Sequence, residues 1–132
     1  MKVLVASGGI SSEREISLKS GQAVYKAGIA AGHEMVFYDW DGSERWLLRN
    51  ADKFDIILPV QHGQGAEDGE IQAILEKTKT PFLGSDSKSS KTCFNKQAVI
   101  DIFRAKGDTV PGGELSDYKQ NVEHSLRSQP HI

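Results

Sequence analysis

The chain has 132 residues, 38% of them hydrophobic, and a formal net charge of −2. This length suits one domain with a modest core, and the near-neutral charge gives no electrostatic case for nucleic acid or an anionic membrane. The single cysteine, Cys93, excludes an internal disulfide and a cysteine-based zinc cluster. No apolar window is long enough to span a bilayer, and the first residues lack a signal-peptide pattern, so we expect a cytoplasmic protein.

Apolar runs and helical spacing alternate along the first 106 residues. Short apolar runs predict strands over residues 2–6, 35–38, 55–60 and 81–84. Helical spacing predicts helices over residues 15–31, 43–50, 69–78 and 87–106, the last with a break near Cys93. This alternation predicts an α/β, three-layer, Rossmann-like domain with a mostly parallel sheet of four or five strands.

The last 21 residues differ from the rest because they are mostly polar. We expect the domain to occupy residues 1–111 and residues 112–132 to form a polar tail. Such a tail has too few apolar groups to offset the entropy cost of ordering it, unless a partner copy orders it. His124 and His131 lie in the tail without a metal-ligand spacing, and we expect both to be exposed.

The first of two glycine-rich polar loops follows the first predicted strand. Residues 8–18 read GGISSEREISL. The two glycines allow a sharp turn and a close approach to a ligand, and Ser12 with Glu15 fits a capping box. Glu13 and Arg14 then lie at the mouth of the turn, either as ordinary charges of a helix start or as part of a site.

The second loop follows the third predicted strand, and residues 61–69 read QHGQGAEDG. Because parallel strands end at the same edge of a sheet, Glu13 and His62 should face one cleft. A carboxylate can hold an ammonium group and an imidazole can donate to a carboxylate, so the pair would suit an amino acid. The alternative is that Glu13 only supports the helix start and His62 only caps a turn.

The standard motifs for other chemistries do not occur. The sequence contains no dinucleotide fingerprint, no P-loop and no nucleophile elbow. His62, Glu67 and Asp68 have no second histidine at ligand spacing, so we expect no metal site.

Four motifs together resemble the N-terminal domain of the bacterial D-alanine–D-alanine ligases. Residues 8–18 resemble the family's first signature, GG-[TI]-S-x-E-R-E-[VI]-S-L, and residues 62–69 are similar to its second, H-G-x-x-G-E-D-G. Residues 81–85, PFLGS, resemble P-[YF]-x-G-S, and Asn95-Lys96 resembles the end of M-D-K. The order is that of the family, and the resemblance extends from residue 2 to about residue 111.

The resemblance implies an ATP-dependent ligase of the ATP-grasp superfamily, which joins two D-alanines for peptidoglycan synthesis. By motif match, Glu13 would be the catalytic-site carboxylate that holds the ammonium of the first D-alanine, and His62 would place its carboxylate. Gly9 and Ser12 would contribute to the same substrate-binding loop. Lys96 would reach toward the nucleotide. The resemblance also implies homodimers formed through this domain.

Three departures from the family pattern matter. Ala66 replaces a glycine, so a positive φ at this position would be disfavoured. Phe94-Asn95 replaces Met-Asp before Lys96. The sequence also stops where the central and ATP-grasp domains of the family follow. In the family those domains supply the magnesium ligands and most nucleotide contacts, so we expect ATP and Mg²⁺ to bind the full-length enzyme but not this chain alone.

Two functions therefore remain open. The chain is either the D-alanine-binding part of a ligase, whose ATP-grasp domain lies on the same or a separate polypeptide, or a non-catalytic binding or regulatory module derived from that fold. An unrelated Rossmann-like domain is a third, weaker alternative.

Overall fold

The computed structural model describes residues 1–110. Its elements are, in chain order, β1 (Lys2–Gly8), α1 (Arg14–Ala30), β2 (Glu34–Trp40), α2 (Glu44–Asn50), β3 (Ile56–Pro59), α3 (Glu70–Leu75), α4 (Ser87–Phe94) and α5 (Lys96–Ala105). A short 3₁₀ turn, Ala51–Lys53, follows α2. Within these residues no helix is both long enough and apolar enough to cross a membrane.

The chain divides into two compact units, Met1–Asn95 and Lys96–Ile132. The described part of the second unit consists of α5 and the residues up to 110. The long helix predicted over residues 87–106 is interrupted, as expected, because the backbone of Asn95 is extended. The predicted polar tail, with His124 and His131, lies outside the described residues, and the boundary at residue 111 stays a prediction.

The central strand of the sheet is β1, which pairs in parallel with β2 on one side and β3 on the other. Ala6 of β1 lies opposite Tyr38 in β2 and opposite Pro59 in β3. Residues 3–8 are all buried, as expected for a short apolar strand that is covered on both faces. The predicted parallel α/β fold is confirmed.

The predicted fourth strand is reduced to a single parallel bridge between Ile57 and Phe82. Ile57 N–H donates to the carbonyl of Pro81 at 3.0 Å, and Leu83 N–H donates to the carbonyl of Ile57 at 3.0 Å. Pro81 has no N–H to extend this pairing, and Gly84 turns the chain with a φ of +129°. The sheet of the described residues therefore has three strands, not the four or five predicted.

Helices cover both faces of the sheet, which confirms the three layers. On one face, Leu4 and Ala6 of β1 belong to a buried apolar cluster with α2, α3 and β3. The other members of that cluster are Trp40, Leu47, Ala51, Ile57, Ile71 and Leu75. On the opposite face, Ser7 lies against α1, and its hydroxyl donates to the carbonyl of Ser17 at 2.6 Å.

The helix α1 lies close to β1 because small residues form its inner face. Ser17 and Gly21 are its buried residues. A Cβ atom at Gly21 would lie only 2.4 Å from Ser7 Oγ and 2.6 Å from Ser7 Cβ. No side chain fits at residue 21 unless the helix moves away from the strand.

The predicted capping box between Ser12 and Glu15 is wrong. The N-cap residue of α1 is Glu13, one position later than the box requires, and no side chain accepts a capping hydrogen bond there. Ser11 supports the turn instead, because its Oγ accepts from Glu13 N–H at 3.1 Å. The sequence has two consecutive serines just before the helix. The path of the loop places Ser11, not Ser12, within hydrogen-bond distance of the Glu13 N–H.

We expect Gly21→Ala to lower the free energy of unfolding by about 1–3 kcal/mol, the usual cost of overpacking a filled core. The new methyl group would meet Ser7, which is fully buried and hydrogen-bonded to α1. Gly28→Ala in the same helix is the matched control, because its methyl group would meet only the flexible side chain of Met35. Urea denaturation measures both changes, and equal midpoints for the two variants would contradict the close packing at Gly21.

Candidate functional site

The loops that follow β1 and β3 lie side by side at the carboxyl edge of the sheet. Ser11 Oγ donates to the carbonyl of His62 at 2.7 Å, and His62 N–H donates to Ser17 Oγ at 2.8 Å. A Cβ atom at Gly63 would lie 3.3 Å from Glu13 Oε1. The Glu13 carboxylate therefore lies beside the residue that follows His62.

The His62 ring points toward α1, and its Nε2 lies 3.1 Å from Ser20 Oγ. The residue is half-buried, whereas Glu13 is exposed. Within residues 1–110, neither the Glu13 carboxylate nor His62 Nδ1 has a hydrogen-bond partner. The arrangement thus leaves one carboxylate and one imidazole nitrogen available to a ligand with an ammonium group and a carboxylate.

Arg14 connects the first loop to the end of β2. Gly8 and Gly9 take positive φ angles of +80° and +102°, which side chains other than glycine rarely tolerate. Gly9 N–H donates to the carbonyl of Trp40 at 2.9 Å. The Arg14 guanidinium donates to the carbonyls of Gly9 and Trp40 at 3.3 and 3.4 Å and pairs with Asp39 at 2.5 Å. It therefore holds the glycine turn to the end of β2.

The acidic residues of the second loop accept hydrogen bonds from the backbone of the same loop. Gly63 N–H donates to the Glu67 carboxylate at 3.0 Å, and Gly65 N–H donates to the Asp68 carboxylate at 2.8 Å. No group of three or more His, Cys, Asp or Glu side chains suited to a metal ion occurs in the described part of the chain. Glu67 and Asp68 thus have a local structural role.

Ala66 introduces no strain into the second loop. The positive φ angles fall on Gly63, Gly65 and Gly69, at +76°, +83° and +92°, and no other residue type takes one within residues 1–110. Ala66 is buried, and its N–H donates to the carbonyl of Gly63 at 3.1 Å. The left-handed turn occurs at residue 65, one position before the alanine.

Substitutions at residues 65 and 66 test this assignment by the sign of their effects. We expect Gly65→Ala to destabilise by about 1–2 kcal/mol, the cost of a left-handed conformation for a residue with a Cβ. Ala66→Gly should also destabilise, by about 0.4–1 kcal/mol, because glycine has more freedom in the unfolded chain. If Ala66 were the strained residue, Ala66→Gly would instead raise the midpoint of thermal unfolding.

Four residues near the site were not identified from the sequence: Ser11, Ser17, Ser20 and Gln61. The available signal was the spacing of Ser17 and Ser20, which are three positions apart and therefore share a helix face. Gln61 had no such signal. It is 7% exposed, its amide atoms have no hydrogen-bond partner among the described residues, and its Cγ lies 3.8 Å from where a Cβ of Gly9 would be.

The remaining predicted site residues lie in three different settings. Gly9 takes a positive φ in the turn of the first loop, and a Cβ at this position would meet Gln61. Ser12 is exposed and has no hydrogen bond within residues 1–110. Lys96 is exposed and is the first residue of α5, in the second compact unit. Its role toward a nucleotide stays a prediction.

A cleft of about 670 Å³ lies apart from Glu13 and His62, between the start of α3 and one face of α4. The two elements approach closely because a Cβ at Gly69 would lie 2.4 Å from the carbonyl oxygen of Ser87. Residues lining the cleft include Asp68, Glu70, Ala73, Lys88, Lys91 and Phe94. The predicted substrate residues do not line it, so their assignment rests on the contacts of the two loops.

Two groups with shifted pKa values lie outside these loops. Burial, with the nearby Asp41 and Asp39 carboxylates, raises the pKa of Tyr38. Hydrogen bonds from the backbone and side chain of Ser89 lower the pKa of Asp86, which caps α4. Neither residue belongs to the loops that contain Glu13 and His62.

The sequence and the fold are similar to those of known ligases. No family model matches the sequence. A D-alanine–D-alanine ligase from Desulfovibrio desulfuricans is 35% identical over 96% of this chain and 43% of its own length. One from Pseudothermotoga lettingae is 41% identical over 95% and 41%. The crystal structure of the ligase from Bacillus anthracis has a TM-score of 0.76 and 28% identity, covering 96% of this chain and 43% of that one. The chain thus spans less than half the length of these relatives.

Proposed function

We propose that the chain, a homologue of the D-alanine–D-alanine ligases over nearly its whole length, is the N-terminal, substrate-binding part of such a ligase. The observation that carries the proposal is the hydrogen-bonded contact between the two signature loops, which brings Glu13 beside the His62–Gly63 segment. The function would be the ATP-dependent joining of two D-alanines for peptidoglycan synthesis, with this chain alone inactive.

In this proposal Glu13 and His62 bind the first D-alanine. The Glu13 carboxylate has no hydrogen-bond partner in the described part of the chain and lies beside Gly63 of the second loop, so it can hold an ammonium group. His62 can donate a ring N–H to the carboxylate of the amino acid. Gly9 and Ser12 belong to the same loop as Glu13, and Lys96 would contact the nucleotide.

ATP and Mg²⁺ belong to the full-length ligase in this proposal. A related crystal structure, also of the Bacillus anthracis ligase, was determined as a complex with ATP and has a TM-score of 0.73. ATP supplies the phosphoryl group that activates the carboxylate of the first D-alanine. The residues of this chain bind and orient that amino acid, while the magnesium ligands would lie in the rest of the ligase.

The proposed partners are D-alanine and the ATP-grasp domain, on the same or a separate polypeptide. A second copy of this domain, as the family resemblance implies, would complete a homodimer. A cytoplasmic location fits a reaction that consumes ATP.

We expect the purified chain to release no phosphate from ATP in response to D-alanine, because the proposed magnesium ligands lie outside it. A coupled phosphate assay measures this release, with the Lys96→Ala variant as the background control. D-alanine-dependent release above that background would contradict the proposed division of labour.

We expect the chain alone to bind D-alanine no more tightly than about 1 mM, a binding free energy of about −4 kcal/mol, because two polar groups act in an open site. Amide shifts on titration should appear at residues 9–13 and 62–63. They should disappear in Glu13→Gln and in His62→Ala and persist in Glu15→Gln, which removes an exposed charge from the same helix turn. Shifts that persist unchanged in both site variants would remove the proposed roles.

The coverage of 43% of a relative is also what a non-catalytic module derived from the same fold would show. Co-purification with the product of a neighbouring ATP-grasp reading frame separates the two functions. D-alanine-dependent ATP turnover by the mixture supports the ligase, and D-alanine binding without turnover supports the module.

A further inference from the structure

We propose that Ser20 is a positioning residue for His62, so that Nδ1 is the ring nitrogen that donates to a substrate carboxylate. The identity of the substrate rests on the proposed function. The state of the ring rests on the contacts around His62 and can be measured without any substrate.

Three hydroxyl groups surround His62. Ser11 donates to its carbonyl at 2.7 Å, and Ser17 accepts from its N–H at 2.8 Å, so the backbone is held on both sides. Ser20 Oγ lies 3.1 Å from Nε2. Because Ser17 and Ser20 are three residues apart on one face of α1, the same helix fixes both the backbone and the ring.

The hydroxyl proton of Ser20 is available for this contact. A serine or threonine within a helix often donates to the carbonyl four residues earlier, and Thr92 does so in α4, where Oγ1 donates to Lys88 at 2.9 Å. Within residues 1–110, Ser20 makes no such bond. Its proton can therefore be directed at Nε2.

The contact determines which nitrogen carries the ring proton. A neutral imidazole has one N–H donor and one bare acceptor nitrogen, and the bond made by one nitrogen sets the state of the other. If Ser20 donates to Nε2, the ring proton lies on Nδ1, which has no partner in the described part of the chain. In this tautomer neutral His62 can donate to a carboxylate. Free histidine in water favours the opposite tautomer. An effect of Ser20 would therefore be measurable as a change in the tautomer of His62.

The test records long-range ¹H–¹⁵N correlations of the imidazole rings in the full chain. The spectra are recorded at about pH 8, and the tautomer of a neutral ring is read from its nitrogen shifts. The His62→Ala variant assigns the signal, and exposed His33 serves as an internal reference. We expect His62 to be mainly the Nδ1–H tautomer in the unmodified chain.

Two substitutions and a control isolate the hydroxyl group. Ser20→Ala should shift His62 toward the Nε2–H tautomer, whereas Ser20→Thr keeps a hydroxyl group and should preserve the Nδ1–H form. Ser85→Ala removes an exposed hydroxyl outside both loops and should leave the ring unchanged. Amide spectra confirm that each variant is folded. An Nε2–H ring in the unmodified chain, or an unchanged ring in folded Ser20→Ala, would overturn the proposal.

D-alanine titration of the same variants tests the substrate part of the proposal. Loss of one hydrogen bond corresponds to a change in affinity of about 2- to 10-fold, which we expect for Ser20→Ala but not for Ser20→Thr. A changed tautomer with unchanged D-alanine affinity would overturn the role of Nδ1 in binding. If the unmodified chain binds no D-alanine at all, the proposed function fails, and the tautomer measurement alone decides the role of Ser20.

Discussion

The hydrogen bonds between the α1 serines and His62 depend on how closely α1 approaches β1. Ser17 can accept from His62 N–H only because the helix lies against the strand, and Gly21 permits that approach where a methyl group would meet Ser7. Ser17 also receives the Ser7 hydroxyl bond on its carbonyl. A loss of this contact would leave buried polar groups without partners, which is more costly than the contact is favourable. The close packing of α1 on β1 therefore also determines the position of His62.

The charged residues of the two signatures divide into structural and available groups. Arg14 binds two carbonyls and Asp39, while Glu67 and Asp68 bind N–H groups of their own loop. Each of these charges stabilises a glycine-rich turn through hydrogen bonds to its backbone. Glu13 lies among them with an exposed carboxylate that no described residue binds. Glu15 also has an exposed carboxylate, but it is Glu13 whose Oε1 would lie 3.3 Å from a Cβ at Gly63, beside the second loop.

The sequence predicted the parallel sheet because strand and helix patterns alternate along the chain. The hydrophobic spacing that identifies each element lies within a few neighbouring residues. The reduction of the fourth strand followed from Pro81 and Gly84, whose effects depend on the path of the neighbouring chain. The capping error had a similar origin, since Ser11 and Ser12 differ only in the direction in which the loop presents them.

The roles of Ser17 and Ser20 could not be derived from spacing, because their partner lies more than 40 residues away in the chain. Serines at these positions equally suit a solvated helix face, and only the distance between α1 and the second loop separates the two cases. At Ala66, by contrast, the sequence predicted a feature that the structure does not have. Its substitution for a family glycine suggested strain, but the loop places its left-handed residue at Gly65, where the chain also has a glycine.

Among residues 1–110, the contacts that orient Glu13 and His62 lie within the unit Met1–Asn95. The described geometry of the pair is therefore a property of this unit, whereas the strength of the proposed interaction with an amino acid also depends on what surrounds the loops. An exposed carboxylate attracts an ammonium group weakly in water, and the same pair of charges interacts several times more strongly where water is excluded. In a ligase, covering these loops would strengthen the contacts without changing them. Under the proposed function, the unit would supply orientation, and tight binding would require the rest of a ligase.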